Sequence, residues 1–356
     1  MANMANISNA FTGASSMNPK PPVMNVELRA ALNAVGQKLY NGKALQREVE
    51  AVLRLLDDLS PLSVTLVSGV IRNEANLFDA VKPQPFWKSL VTPLTHRDQL
   101  HDTPGLALLF LFHGSGQLRE VALEKITQGL VSPFWVAAVL FRMNDWAAQV
   151  RESANRCVER VLPVTPPHVL AEVALVLFPR QSEWGRWNDA GQKLARSLMT
   201  RPDIGAEFAT LLMSNAAGPV PTSFRLALET PWLDTYLSDI ATQARNPIVR
   251  AIAVETLLQG TARWRSGYEH KWLDKRYNIT KLVPVYTSRP LDIAAQPELI
   301  AKMAITDRSA FVRRTVLQCA DRYTIPAELS RTCAKHLAND HDKSVRDLAA
   351  FILSKR

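Results

Sequence analysis

One arrangement of polar and apolar positions occurs five times along this chain. Each copy begins at a turn residue, continues after a short gap with an aliphatic residue followed by arginine, and then places small or aliphatic residues at helical spacing. The arginines of the five copies are Arg119, Arg151, Arg250, Arg313 and Arg346, and they lie 32, 99, 63 and 33 residues apart. Because 99 is three times 33 and 63 is nearly twice 32, the pattern predicts a repeat of 32 to 33 residues.

A second helix is predicted upstream of three of these copies. The segments PFWVAAVLFRMN, PELIAKMAIT and PAELSRTCAKHLAN each open with proline, which is tolerated in a first helical turn, and each is followed by an aspartate that can cap the next helix. The repeating unit is therefore a helical hairpin. Its second helix carries an apolar stripe that only a stacked neighbour can bury. We expect this stripe to be Val312, Val316 and Ala320 in one unit, and Val345, Ala349 and Leu353 in the last.

The segment Asn246 to Ala253, together with the Val-Arg pairs that follow Asp307 and Asp342, resembles the second-helix motif of HEAT repeats. The similarity is greatest to the short bacterial kind found in phycobilisome-lyase-like proteins, and it extends over roughly residues 104–356. This resemblance implies an all-α fold, an α-solenoid. It also implies that aspartates and arginines of successive units interact along the stack. The residues to which that structural role would fall are Asp145, Asp307, Asp342, Arg151, Arg250, Arg313 and Arg346.

The repeats divide the chain into an arm, a cap and two stretches of repeats. We expect a disordered N-terminal arm over residues 1–22, a helical cap over 23–103, repeats over 104–260 and further repeats over 291–356. Between Arg160 and Ala241 helices are still expected, but the Val-Arg signature is absent, so the repeats there are degenerate. β-branched residues do not gather into alternating runs, which favours an all-α chain.

Composition narrows the class of partner. Apolar residues make up 47% of the 356 residues and 42 basic residues face 33 acidic ones, a net charge of +9 that favours anionic partners. Cys157, Cys319 and Cys333 lie far apart without paired spacing, which indicates neither a disulfide framework nor a zinc site and fits a reducing cytoplasm. No segment reaches the roughly 20 apolar residues needed to cross a bilayer, so we expect no membrane insertion.

Residues 261–290 differ most from their surroundings. They contain seven basic and two acidic residues, and 7 minus 2 gives +5 of the total +9, with Trp and Tyr interleaved among the cations. Flat rings and guanidinium groups suit the contact of bases or an acidic peptide. The alternative is an inserted loop whose aromatic residues pin it to the helices and whose cations are solvated. We predict a recognition element formed by Arg263, Trp264, Arg265, Tyr268, Lys271, Trp272, Lys275, Arg276 and Tyr277.

Two further groups of side chains are candidate sites. Trp184, Arg186, Trp187 and Asp189 invite comparison with HEAT-like DNA glycosylases that act on alkylated purines, but the segment does not align with their motif residue by residue. His96, Asp98, His101 and Asp102 form the densest group of possible metal ligands. Histidines five residues apart do not share a helix face, so an exposed polar turn is expected there instead of a metal site.

No nucleophile-elbow, phosphate-loop, zinc-protease or dinucleotide-binding string occurs in the sequence. We therefore expect no catalytic residues and no cofactor. The sequence favours a cytoplasmic scaffold or adaptor that holds a protein partner. The alternative is a solenoid that binds nucleic acid, with glycosylase activity as a minority form. Salt separates the two, because affinity for phosphates falls steeply with salt concentration.

Overall fold

The computed structural model describes residues 25–78, 95–177, 179–180, 186, 194, 201–294, 296–321 and 325–355. These residues form seventeen α-helices and one two-stranded sheet, so the expectation of a helical chain is correct except at residues 261–290. The chain divides into two compact units, Met1–Thr165 and Pro166–Arg356. The predicted arm over residues 1–22 lies outside the described residues.

The first unit contains eight α-helices in its described residues. Helix α1 packs on α2 and α3, α7 packs on α2, α3 and α8, and α6 packs on α8. Short 3₁₀ helices at Pro61–Ser63 and Leu162–Val164 precede α3 and follow α8. In chain order the α-helices are α1 (Val26–Tyr40), α2 (Gln46–Asp57), α3 (Val64–Glu74), α4 (His96–Asp102), α5 (Leu106–Phe110), α6 (Gly116–Lys125), α7 (Pro133–Arg142) and α8 (Ala148–Val161).

The second unit contains nine α-helices in its described residues and the sheet. The helices are α9 (Pro167–Leu177), α10 (Pro202–Ser214), α11 (Val220–Ala227), α12 (Leu237–Gln243), α13 (Pro247–Gln259), α14 (Pro297–Ala304), α15 (Ala310–Asp321), α16 (Ala327–Leu337) and α17 (Lys343–Ser354). A 3₁₀ helix at Pro231–Tyr236 precedes α12. Helices α13, α15 and α17 pack against one another in sequence, and α14 and α16 pack beside them. Alternate helices therefore form two layers in this part of the unit.

Side chains cap the helix at two of the predicted starts, whereas at α8 the N-cap residue is Ala147 and the predicted cap by Asp145 does not form. The Asn246 side chain accepts a hydrogen bond from the Ile248 N–H at the start of α13, where Pro247 occupies the first turn. At α17, the Asp342 side chain accepts from the N–H groups of Ser344 and Val345. These bonds satisfy amide groups that a helix leaves without an internal partner.

Burial of the apolar stripe follows the predicted spacing with one exception. Val249, Val312 and Val345 are fully buried, as expected for the inner face of stacked second helices. In α17, however, the stripe ends on Ile352, while Leu353 is 40% exposed. The assignment of Leu353 to the stripe is wrong because a helix turns 3.6 residues per turn, and steps of four drift off the buried face.

Residues 261–290 form a β-hairpin, which the sequence pattern did not predict. Strand β1 (Thr261–Asp274) pairs antiparallel with β2 (Ile279–Pro290), and the register shifts between Arg265 and Gly267 and again between Trp272 and Asp274. Each shift is a β-bulge, and bulges break the period-two alternation by which strands are recognised. At the base, the Leu291 N–H donates to the Gly260 carbonyl at 3.0 Å, so the two strands leave and rejoin the helical body at one point.

No described helix is both long and apolar enough to cross a membrane.

Candidate interaction site on the β-hairpin

The arginines of the repeated motif share one set of contacts with their own turn. The Nη1 atoms of Arg119, Arg151, Arg250 and Arg346 each donate to the carbonyl groups five and six residues earlier, at 2.6 to 3.3 Å. Arg313 donates in the same way to the carbonyl of Asp307. Each arginine therefore closes the turn that enters its own helix.

Three of these arginines also join neighbouring turns. Arg119 pairs with Asp145, Arg250 with Asp307 and Arg313 with Asp340, each through two hydrogen bonds of 2.6 to 3.0 Å. This bidentate geometry is the strongest form of the arginine–carboxylate contact. The Arg313 guanidinium, through its hydrogen bonds, lowers the pKa of Asp340 below its usual value.

The resemblance named Asp342 for this role, and the structure assigns the role to Asp340. Asp340 lies six residues before Arg346 and accepts a hydrogen bond from the N–H two residues later. Asp145 and Asp307 have the same two relationships to their own turns. Asp342 caps α17 instead. Within one turn, Asp340 therefore forms the ion pair and Asp342 forms the helix cap.

The hairpin is held at its base by Arg289. The Arg289 guanidinium donates to both carboxylate oxygens of Asp234 at 2.7 and 2.8 Å, and to the carbonyl groups of Leu228 and Thr230. Ala262, its direct partner in the opposite strand, is fully buried. Arg289, which contributes to the net charge of the segment but is not among the nine predicted site residues, therefore anchors the hairpin.

The register divides the hairpin side chains between two faces, because directly paired residues lie on the same side of a sheet. One face, hereafter the basic–aromatic face, carries Arg263, Arg265, Tyr268, His270, Trp272, Leu282 and Tyr286. The opposite face carries Trp264, Glu269, Lys271, Asp274 and Lys281, with Ala262 and Arg289 at its base. The turn between the strands presents Lys275, Arg276 and Tyr277.

A bulge assembles the basic–aromatic face. Arg265 and Tyr268 are three residues apart and would lie on opposite faces of a regular strand. The register leaves Ser266 unpaired, and this extra residue returns Tyr268 to the face of Arg265. The Arg265 guanidinium then lies over the Tyr268 ring at 4.8 Å and donates to its hydroxyl group, while the Arg263 guanidinium lies over the Tyr286 ring at 4.5 Å.

The nine predicted site residues are thus brought together only in part. Arg263, Arg265, Tyr268 and Trp272 share the basic–aromatic face, and the three turn residues lie at its end. Trp264 and Lys271 are on the opposite face, Trp264 half-buried near the base. The sequence prediction did not include Leu282 and the turn-flanking Leu273 and Ile279, all of which are exposed.

The structure describes the other two candidate groups, at residues 184–189 and 96–102, to different extents. Trp184, Trp187 and Asp189 lie outside the described residues, and only the exposed Arg186 of that group is described. His96, Asp98, His101 and Asp102 all belong to α4 and not to a turn; His96 is buried and the other three are exposed. Asp98 forms a capping box with Thr95. No group of three or more metal-ligand side chains occurs in the part of the chain that the structure describes.

His96 is buried against a second histidine. Its Nδ1 atom lies 3.1 Å from Nε2 of His113, whose Nδ1 accepts a hydrogen bond from the Ser115 N–H. Burial, and then the charges of His96, Arg119 and Arg72, lower the pKa of His113 to about 3. His113 is therefore neutral at neutral pH and occupies the turn position that aspartate takes before Arg151, Arg313 and Arg346.

No protein-family model matches this chain, and no curated protein matches its sequence.

Proposed function

We propose that this protein is a non-catalytic binding scaffold in which HEAT-like helical hairpins build an α-solenoid and the β-hairpin holds a protein partner. The repeated arginine contacts support the repeat class, because the same turn closure recurs at five positions and the same bidentate pair at three. The buried thiols of Cys157, Cys319 and Cys333 support a place in the reducing cytoplasm.

The observation that carries the proposal is the apolar and aromatic surface at the end of the hairpin. Leu273, Tyr277, Ile279 and Leu282 are all exposed, next to Lys275 and Arg276. Covering a large apolar side chain contributes about 1.5 to 3 kcal/mol, and protein interfaces are enriched in aromatic residues and arginine. Aliphatic side chains gain little from phosphates, so this mixture favours a protein over a nucleic acid.

The second candidate is nucleic acid, and the charge of the hairpin supports it. Lys275 and Arg276 in the turn are two of the cations of a protein whose net charge is +9. A nucleic-acid complex should weaken steeply as salt is raised, whereas a protein interface that also covers apolar residues should weaken less.

Site-specific photo-crosslinking in the native cell tests the proposal. A photoreactive phenylalanine analogue would replace Tyr277, which is 76% exposed, and in a matched variant Trp146, an aromatic residue of the first unit that is 72% exposed. We expect a discrete product from position 277 that survives nuclease and is destroyed by protease. Equal products from both positions would contradict a hairpin site, and a product destroyed by nuclease would establish the second candidate.

A further inference from the structure

We propose that the basic–aromatic face receives an acidic polypeptide segment of the partner. Carboxylates of this segment meet Arg263 and Arg265, and an apolar side chain farther along it meets Trp272 and Leu282. The inference rests on the proposed function and adds the chemistry and orientation of the occupant.

Charge is segregated between the two faces of the hairpin. The basic–aromatic face carries Arg263 and Arg265 and no acidic residue. On the opposite face, Lys271 and Lys281 are matched by Glu269 and Asp274, and Arg289 is paired with Asp234 of the helical body. Both acidic residues of the hairpin therefore lie away from the basic–aromatic face. An anionic partner is attracted to one side of the hairpin, which sets its orientation.

The two arginines are held in a form suited to carboxylates. Each guanidinium lies over a tyrosine ring, Arg263 at 4.5 Å from the centre of Tyr286 and Arg265 at 4.8 Å from the centre of Tyr268. A guanidinium held in this way loses less side-chain entropy on binding and presents a planar set of donors that matches a carboxylate. The same stacking covers one side of each tyrosine ring. Bases stack on open aromatic faces, so the arrangement suits single-stranded nucleic acid less well.

The far end of the face is apolar. Trp272 and Leu282 are 50% and 52% exposed, and they are diagonal neighbours because Trp272 pairs with Thr280 and Leu282 with His270. Six steps of the register separate the Arg265 pair from the Trp272 pair, a distance of about 20 Å at ~3.4 Å per step. An extended segment spans this distance with about six residues. The occupant therefore has carboxylates at one end and an apolar residue about six positions away.

The strand edges are poorly suited to take the partner by adding a third strand. Strand β1 is interrupted by two bulges, and Pro284 in β2 has no N–H group. Bulges, prolines and lysines are the features by which proteins protect edge strands from pairing. Recognition therefore falls to the side chains of the face.

Two double variants that remove the same charge from opposite faces test the inference. Arg263→Ser with Arg265→Ser removes two cations from the basic–aromatic face, and Lys271→Ser with Lys281→Ser removes two from the opposite face. The probe is a fluorescent random copolymer of glutamate and tyrosine, titrated into the full-length protein at fixed salt. We expect the arginine variant to bind at least about tenfold more weakly and the lysine variant within about twofold of the wild type.

A charge-preserving variant helps to distinguish loss of binding from loss of folding. Arg263→Lys with Arg265→Lys retains both charges but cannot form planar paired hydrogen bonds, so affinity should still fall several-fold. All variants should melt within a few degrees of the wild type. Equal losses from both faces, unchanged affinity in the lysine-substituted arginine variant, or no binding of the copolymer would overturn the inference.

A single-stranded oligonucleotide of equal charge serves as the competing probe. If it binds more tightly than the copolymer and loses affinity only in the arginine variant, the face is correct and the partner class is wrong. The photo-crosslink at Tyr277 separates this inference from the proposed function. A protein product that persists in the arginine double variant would leave the proposed function intact and overturn the acidic segment.

Discussion

Arg250 and Asp307 form a bidentate ion pair, at 2.8 and 2.9 Å, across the whole of the β-hairpin. They are 57 residues apart, whereas Arg313 and Asp340 make the same pair at 27 residues. The hairpin occupies residues 261–290, which is 30 residues, and 57 minus 30 restores the separation of 27. The hairpin therefore adds 30 residues to a separation that is otherwise equal in the two pairs, and Arg250 and Asp307 join the helices on either side without it.

Excision of the hairpin should leave the helices folded. Because the Gly260 carbonyl and the Leu291 N–H are already 3.0 Å apart, residues 261–290 can be replaced by one or two glycines. Asp234, which is buried, would lose Arg289, so the excised protein should also carry Asp234→Asn. We expect the helical circular dichroism to be retained and the melting temperature to stay within several degrees.

The matched excision that keeps Asp234 is the control for this experiment. It should melt lower, because removing one partner of a buried pair leaves an uncompensated charge. Loss of helical structure in the protein with Asp234→Asn would show that the hairpin is part of the core.

The buried stripe of α17 predicts that truncating the smaller Val345 destabilises the protein more than truncating the larger Leu353. Val345→Ala removes fewer atoms than Leu353→Ala, but Val345 is fully buried and Leu353 is exposed. Val345→Ala should lower the free energy of unfolding by about 2 kcal/mol, and Leu353→Ala by less than about 0.5 kcal/mol. Urea denaturation of both variants measures the difference, and an equal cost would mean that the buried face of α17 is wrongly assigned.

The Arg313 and Asp340 pair predicts acid sensitivity. The folded-state pKa of Asp340 lies below its usual value of 3.8, so the unfolded state binds the proton more readily. This carboxylate therefore contributes stability above a pH of about 3.8 that is lost as the pH falls toward its folded pKa. Urea midpoints measured from about pH 6 to about pH 3 should fall less steeply in Asp340→Asn. Asp347→Asn, an exposed carboxylate on α17, should keep the wild-type slope.

His113 predicts a second loss of stability on acidification, one that begins at a higher pH than the loss at Asp340. Its folded pKa is lowered from 6.5 to about 3, so between these values the unfolded state binds a proton that the folded state does not. Stability should therefore decrease as the pH falls from about 6.5 toward 3. In His113→Asn the amide oxygen can still accept from the Ser115 N–H, and the urea midpoint should depend less on pH in this range. His341→Asn, an exposed histidine, should leave the dependence unchanged.

The helical part of this fold is readable from the sequence because its signals are local. Helix spacing places Val249, Val312 and Val345 each on the buried face of its own helix, and prolines and side-chain caps mark where helices begin. The helices and their buried valines therefore follow from residues a few positions apart. The sequence does not decide between Asp340 and Asp342. Both lie in one turn with oxygens near helix N–H groups, and only the position of Arg313 decides which of them forms the ion pair.

The sequence by itself determined that residues 261–290 differ in charge and aromatic content, and the tertiary structure alone decided what they form and which residues share a face. Trp264, Tyr268 and Trp272 are four residues apart, a spacing that resembles a helix, but the bulge at Ser266 places Trp264 on the face opposite to Tyr268 and Trp272. Arg289 looked like another exposed cation and is an anchor, because Asp234 lies 55 residues away in the chain and adjacent in space. Strand pairing, bulge position and such ion pairs depend on non-local contacts, and no periodicity within a single segment encodes them.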